Sequence, residues 1–300
     1  MWQQNIDYIK QVALRTTSAA AKASIAAIGK GDKTLADKLA TDAARKELNS
    51  LHINGTIVIG EGEIDEAPML FIGEKVGLGG VSVDIAIDPL EGTNLCANNK
   101  PNAITVMTIA RSGTILHAPD VYMQKIATRL PIPHDLLHID DDIALNIKKL
   151  SQFINISAKD LVICMLNRPR HFKLMEEINS TGSQIKLIDD GDILGSIDPN
   201  IHLYVGIGGA PEGVIAASAL KNYGGFMQGR LLLSTEDERN RALKCGITNF
   251  DTIYGVNDMI KSDAVFCATA VTQGIVGRQA TSSVADSLLI HNGKENRIAF

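Results

Sequence analysis

The stretch Val83–Thr93, Val-Asp-Ile-Ala-Ile-Asp-Pro-Leu-Glu-Gly-Thr, constrains this chain more than any other. It opens as a buried strand, with apolar residues on both sides of Asp84. Asp88, Glu91 and Thr93 then follow in quick succession around a Pro and a Gly. Proline cannot donate to a ladder, so the strand is expected to stop at Pro89. Glu91-Gly92-Thr93 would then turn outward at the strand's carboxyl end, where open α/β sheets place ligands. Two carboxylates three residues apart on a rigid junction suit a hard divalent cation, which takes oxygen ligands. Read alone, a solvated acidic turn explains the same letters equally well, so the neighbouring segments carry the weight.

A chain of 300 residues is long for one small core and suggests two lobes sharing an interface. Pro131, Pro133 and the charges through Asp142 mark a linker. Residues 1–135 are therefore expected to form an N-terminal metal-binding α+β lobe and 136–300 a C-terminal α/β lobe, with the active site between them. Net charge is −5 with no basic block, which excludes a nucleic-acid partner and means an anionic substrate needs metal or local Arg and Lys. Cys96, Cys164, Cys245 and Cys267 lie far apart without a C-x-x-C pair, so neither zinc nor a disulfide framework is indicated. No run reaches the roughly 18 apolar residues of a membrane span. Asp7 interrupts any signal-peptide core, leaving the cytoplasm as the expected compartment.

Residues from about Ile6 to Ile28 carry Ile9, Val12, Ala13, Thr16 and Ala20 at helical spacing. After Gly29–Lys33 a second helix begins, and Thr34 with Asp37 matches a capping box; from local sequence this is the preferred reading of Asp37. Thr56–Gly60 is a short buried strand. Glu61, Glu63, Asp65 and Glu66 follow at once, and they repel one another unless a cation or solvent intervenes. Gly60 and Gly62 suit a backbone shaped to aim Glu61. Ala103–Ala110 and Thr114–His117 read as a hairpin around Arg111-Ser-Gly113, and Ala118–Met123 as irregular. The second half alternates strand and helix, which suggests a mostly parallel sheet. Three of its strands end in Asn167-Arg-Pro-Arg170, Asp189-Asp-Gly-Asp192 and Gly208-Gly-Ala-Pro-Glu212, and those ends could gather on one sheet edge.

Gly206-x-Gly208 lies between a strand and a helix, but Pro211 occupies the sixth position of the dinucleotide fingerprint. What survives is a pair of glycines near a helix N-terminus, a setting that suits phosphate. Arg168 and Arg170 could clamp an oxyanion, although ordinary surface arginines explain that loop as well. No Gly-x-Ser-x-Gly elbow is present, and His117, His134, His138 and His171 read as loop or surface residues. From residues alone, the chain reads as a metal-dependent enzyme acting on a phosphorylated metabolite.

Gly31-Asp-Lys-x-x-Ala-Asp37, Ile57–Met69, Asp84–Thr93 and Gly206–Val214 resemble class II fructose-1,6-bisphosphatase, in the lithium-sensitive, magnesium-dependent phosphatase superfamily. The resemblance runs from about Val12 to Ile290. It implies an α/β fold, the sugar-phosphatase α/β/α/β/α sandwich of two lobes. It also implies hydrolysis of the 1-phosphate of fructose 1,6-bisphosphate in gluconeogenesis or glycerol metabolism, with Mn²⁺ or Mg²⁺ as cofactor. A homodimer or homotetramer is the expected assembly. By matching motif, Asp37 and Glu61 resemble the ligands of one metal, and Asp88, Glu91 and Glu212 those of another. This overrides the capping role of Asp37. Substrate contacts fall on Glu91, Gly92, Thr93, Tyr122, Arg168, Pro169, Arg170, Asp190, Gly191, Asp192 and Gly209. Thr93 would orient the attacking water, helped by Asp65, with Lys33 a further site member. Asn94 stands where many bacterial members carry Arg, as in cyanobacterial members that also cleave sedoheptulose 1,7-bisphosphate. Arg168 replaces a frequent Lys. The rivals are a sedoheptulose bisphosphatase or dual-specificity enzyme, an inositol-monophosphatase-like enzyme, and a silent metabolite-binding homologue. Intact carboxylates disfavour silence, because buried charge without metal is costly.

Overall fold

The structure, a computed structural model, describes residues 2–62 and 69–300. In chain order the elements are α1 (Trp2–Ser24), α2 (Lys33–Leu48), β1 (Ile53–Ile59), β2 (Lys75–Val76), β3 (Val81–Glu91), α3 (Thr93–Ala97) and β4 (Ile104–Arg111). Then come β5 (Tyr122–Thr128), α4 (Ile143–Ile154), β6 (Val162–Leu166), α5 (Phe172–Ser180), β7 (Gln184–Ile188), α6 (Asp192–Ile197), β8 (Leu203–Gly209) and α7 (Ala210–Tyr223). β9 (Phe226–Leu232), α8 (Glu236–Lys244), β10 (Ile253–Gly255), α9 (Val256–Met259), β11 (Ala264–Ala270), β12 (Asp286–His291) and β13 (Lys294–Ala299) complete it. Contacts divide the chain into two compact units, Met1–Pro119 with Met259–Phe300, and Asp120–Asp258. The linker composition had suggested one division at 135/136. The observed partition differs because β11–β13 return to the first sheet and β5 belongs to the second.

In the first unit the described residues form a seven-stranded sheet, β13-β12-β11-β4-β3-β1-β2, in which only β1 and β3 pair in parallel. α1 lies across β3, β4 and β11, with α2 beside it. The expected apolar stripe is the buried one: Ile9, Val12, Ala13, Thr16 and Ala20 all face inward. Small residues on both helices let them pack closely over a core that includes Ile57, Ile85, Ile87, Met107 and Val265. The expected hairpin after β4 is absent. Thr114–His117 makes a single bridge, Ile115 to Ile260, while β4 pairs with β3 and β11. The buried Asp84 carboxylate accepts from Thr114 N at 2.9 Å, and so claims a donor that a hairpin strand would have used.

The second unit holds a six-stranded sheet among its described residues, β10-β9-β5-β8-β6-β7. It is mixed rather than mostly parallel. β6 pairs in parallel with β7 and β8, but β5 runs antiparallel to both β8 and β9. The segment read as irregular, Ala118–Met123, overlaps that central strand at Tyr122 and Met123; Met123 and Ile126–Thr128 are buried although the strand carries Gln124 and Lys125. Ile126 joins a core with Ile143, Ile147 and Leu150 of α4 and Ile178 of α5. Its neighbour Lys125 points to the other face, against Gly213 of α7. Strand alternation thus places helices on both sides, a layered α/β sandwich.

Candidate active site

In the first unit, β1 ends beside Gly60, where a side chain would overlap the Leu70 carbonyl. Glu61 N donates to that carbonyl at 3.0 Å, and Gly62 O accepts from Ile72 N at 3.0 Å, so the peptides around Glu61 are pinned on both sides. Asp37 lies in α2, whose N-cap is Asp32, its carboxylate accepting from Leu35 N at 2.9 Å. The expected Thr34–Asp37 capping box therefore does not form. Asp37 is left to turn inward and hydrogen-bond Glu61. Lys33 is exposed in the first turn of the same helix.

Asp88 and Glu91 come from β3, which does not stop at Pro89 as expected. Asp88 pairs with Val106 and Glu91 with Ile104, so one extra residue is accommodated as a bulge. A bulge removes the ladder donor that proline lacks. Leu90 N donates to Asp88 Oδ1 at 2.9 Å, and Thr105 Oγ1 donates to Pro89 O at 2.8 Å, holding the distorted turn. Bulging turns the strand so that the carboxylate oxygens of Asp88 and Glu91 lie within 4.8 Å of each other. Gly92 then adopts φ 81° and ψ 46°, a left-handed conformation that favours glycine, and leads into α3. Thr93 is the first residue of α3, half-buried, and α3 has no side-chain cap, so the hydroxyl is not serving as one.

The electrostatics of these carboxylates are unbalanced. Burial, followed by the charges of Asp37 and Asp88, pushes the Glu61 carboxyl up from the ordinary range to about 9. Burial also raises Asp37. Protonated Glu61 is stabilised by donating to Asp37, the arrangement of two carboxyls sharing one proton. Such a donor set, all hard oxygen and short of positive charge, fits a divalent cation such as Mg²⁺ or Mn²⁺. Asp65, the other carboxylate expected here, lies outside the described residues.

In the second unit, β6, β7 and β8 run in parallel, so the three polar loops do emerge at one sheet edge. Tyr122, opposite Gly209 in the β5–β8 register, opens β5 at that edge. Arg170 stacks on the exposed Tyr122 ring, 4.8 Å from its centroid. Its fork also donates to Ile207 O, from Nη2 at 2.7 Å and Nε at 3.2 Å. Arg168, half-buried, caps the short 3-10 turn Pro169–His171. His171, read as a surface residue, is in fact 1% exposed. Its Nε2 accepts from Ile207 N at 2.8 Å, which leaves Nδ1 to donate to Leu166 O at 2.8 Å. Burial holds its pKa below the usual imidazole value, so the ring is neutral. Together Arg170 and His171 hold the C=O and the N–H of Ile207.

Asp190 Oδ1 accepts from Gly191 N at 3.1 Å, and Gly191 at φ 89° turns the chain into α6. Asp192 was expected to face substrate. It is 5% exposed and ion-paired with Lys125, which is itself 2% exposed and donates to Gly209 O at 2.8 Å. Gly209 caps α7, and a side chain there would overlap the Glu212 carboxylate, so Glu212 in the first turn folds back over Gly209. Lys125 was missed from the sequence. The available signal was a lysine between the apolar residues Met123 and Ile126 in a segment otherwise able to form a core strand.

Residues 8–297 match the family described as bacterial fructose-1,6-bisphosphatase, glpX-encoded. The chain belongs to this family. Among its relatives, the D-fructose 1,6-bisphosphatase class 2/sedoheptulose 1,7-bisphosphatase of Microcystis aeruginosa is 40% identical over 286 residues, covering 85% of this chain and 83% of the relative. Proteins of the same name from Thermosynechococcus vestitus and a Synechocystis species are each 39% identical, covering 86% and 85% of this chain and 83% of each relative. The resemblance drawn from the four sequence stretches is thereby borne out, and no helix among the described residues is long and apolar enough to cross a membrane.

Proposed function

We propose that this chain is a phosphoric monoester hydrolase that removes the 1-phosphate of fructose 1,6-bisphosphate, giving fructose 6-phosphate and phosphate. Family membership supports the reaction class. The double name of the relatives supports sedoheptulose 1,7-bisphosphate as a second substrate. The observation that carries metal dependence is the Asp37–Glu61–Asp88 cluster, where burial and mutual repulsion drive Glu61 to about 9. Asp37 and Glu61 would hold one Mn²⁺ or Mg²⁺; Asp88, Glu91 and, by its matched motif, Glu212 would hold another. A divalent cation bound there supplies positive charge for the transferring phosphoryl group and acidifies water.

The chain's own residues do the rest. Thr93, presented by the Gly92 turn, orients the attacking water through its hydroxyl, with Asp65 as its helper and Lys33 nearby in sequence role. Arg168, Pro169 and Arg170, with Tyr122, bind the far phosphate, since a planar guanidinium suits oxyanions. Asp190, Gly191 and Asp192, with Gly209, meet the far phosphate and the sugar hydroxyls. A homodimer or homotetramer in the cytoplasm, acting in gluconeogenesis or glycerol metabolism, completes the proposal.

The test is phosphate release from fructose 1,6-bisphosphate, sedoheptulose 1,7-bisphosphate and inositol monophosphate, with chelator and with added Mn²⁺ or Mg²⁺. Release from the bisphosphates only when metal is present is expected. Undiminished release after chelation, or preference for inositol monophosphate, would overturn the proposal.

A further inference from the structure

The second unit contains a buried ion pair whose cation has no part in the proposed reaction. Lys125 and Asp192 are almost wholly excluded from solvent. Lys125 enters from the middle of β5, and Asp192 from the first position of α6. The ammonium makes a second bond, to Gly209 O at 2.8 Å, and Tyr204 Oη reaches Asp192 Oδ2 at 3.5 Å. Backbone closes around the pair: a side chain on Gly208 would overlap Asp192 Oδ2 and sit 3.0 Å from Lys125 Nζ, and one on Gly213 would meet Lys125 Cδ at 3.2 Å.

A cation at this place is unexpected on electrostatic grounds. Gly209 is the N-cap of α7, and the positive end of a helix dipole disfavours an ammonium. Removing a lysine and an aspartate from water also costs several kcal/mol per ion, so the pair is not explained by stability alone. What the ammonium gains there is a fixed grip on one carbonyl. That carbonyl belongs to the residue over which the Glu212 carboxylate is folded. Holding Gly209 fixes the direction of the first turn of α7, and Glu212 is its third residue. Asp192 offsets the ammonium charge, which would otherwise oppose a cation held by Glu212.

We propose that Lys125 is a positioning residue: its ammonium, neutralised by Asp192, holds the Gly209 carbonyl and so sets the Glu212 carboxylate for divalent-cation binding. This rests on the reading of Glu212 as a metal ligand. Lys125 touches neither substrate nor cation. It acts on affinity for the ion through the backbone, as outer partners of metal ligands do, on a scale of about 10- to 100-fold.

The experiment is a Mn²⁺ titration of the full chain followed by the electron paramagnetic resonance signal of the free ion. Wild type is compared with Lys125→Met, Lys125→Gln, Glu212→Gln and Asn146→Ala, with thermal unfolding in chelator recorded for each. Asn146 is buried in the same unit and bonds His138 and Asp141, so its loss lowers stability away from α7. Lys125→Met is expected to weaken Mn²⁺ binding by about 10-fold or more. Lys125→Gln, which keeps a donor for Gly209 O, should recover part of it. Glu212→Gln should weaken binding at least as much, and Asn146→Ala should leave it unchanged. Wild-type Mn²⁺ affinity in folded Lys125→Met, with Glu212→Gln defective, would overturn the positioning role. Equal weakening in Asn146→Ala would assign the effect to general stability and overturn it too. Wild-type affinity in Glu212→Gln would instead overturn the ligand reading beneath it. If Lys125→Met does not fold, Lys125→Gln decides: binding between that of wild type and that of Glu212→Gln supports the grip on Gly209, and binding equal to either one overturns it.

Discussion

Two charge clusters, one half-buried in the first unit and one buried in the second, solve opposite problems. In the first, Asp37, Glu61 and Asp88 crowd together as like charges, and Glu61 takes a proton up to about pH 9. In the second, Lys125 and Asp192 neutralise each other and are closed off by Gly208, Gly213 and Tyr204. Each has glycines close beside its charged groups. The difference lies in what is missing. A compensated pair can hold backbone in place, whereas an uncompensated set of carboxylates suits a small hard cation. Buried charge is thus informative only once its balance has been counted.

The largest expected effect strikes the uncompensated side. Asp88→Asn or Glu91→Gln should abolish phosphate release from fructose 1,6-bisphosphate in the presence of saturating Mn²⁺ or Mg²⁺, because each removes a charge from the set that holds the ion. Retained activity in either variant, measured by a phosphate assay, would place these carboxylates in a merely solvated turn.

Next comes Thr93, which separates water orientation from ion holding. Thr93→Ala should lower kcat by ~10²-fold or more with KM within a few-fold, and Thr93→Ser should keep a substantial fraction of activity. A Mn²⁺ titration should show binding intact in both, since the carboxylates remain. An active Thr93→Ala enzyme would return this residue to a turn-forming role.

On the side of the second unit, Arg170→Ala should reduce kcat/KM for the bisphosphate by about 10- to 100-fold, the worth of one charged hydrogen-bonded contact of roughly 1.5–3 kcal/mol. Use of p-nitrophenyl phosphate, which has no far phosphate, should change much less. Arg170 also grips Ile207 O and stacks on Tyr122, so equal losses on both substrates would mean that it holds the loop rather than the ligand.

The smallest effect is on stability. Between the ordinary carboxyl value of 4.5 and about 9, folded Glu61 keeps a proton that the unfolded chain releases. The folded state therefore binds more protons, and metal-free stability falls as pH rises through that window. Thermal unfolding in chelator should show a midpoint several degrees lower at pH 9 than at pH 6. Glu61→Gln should flatten that slope, and Mn²⁺ should offset it in wild type by binding only the folded state. A metal-free midpoint that rises toward pH 9 would contradict the crowded-carboxylate reading.

Local order in the sequence was enough to nominate some of the candidate ligands, though not Asp37. Asp88-Pro-x-Glu91-Gly-Thr93 and Gly60-Glu61-Gly62 carry carboxylates and glycines within a few residues, so their chemistry is legible without a fold. The helical stripe of α1 and the parallel strands β6, β7 and β8 were legible for the same reason, because their periodicity is local. Long-range competition decided what the letters left open. Asp37, its capping role taken by the local Asp32, met Glu61 of another element; pairing with β4 absorbed Pro89 in a bulge instead of ending β3. Strands β11–β13, distant in sequence, completed the first sheet and moved the boundary that composition had suggested. Lys125 and Asp192 lie 67 residues apart, and the pairing of β5 beside β8 with α6 packed against both brings them together. A residue's neighbours along the chain set its propensity, but its charge state and role depend on neighbours that folding supplies.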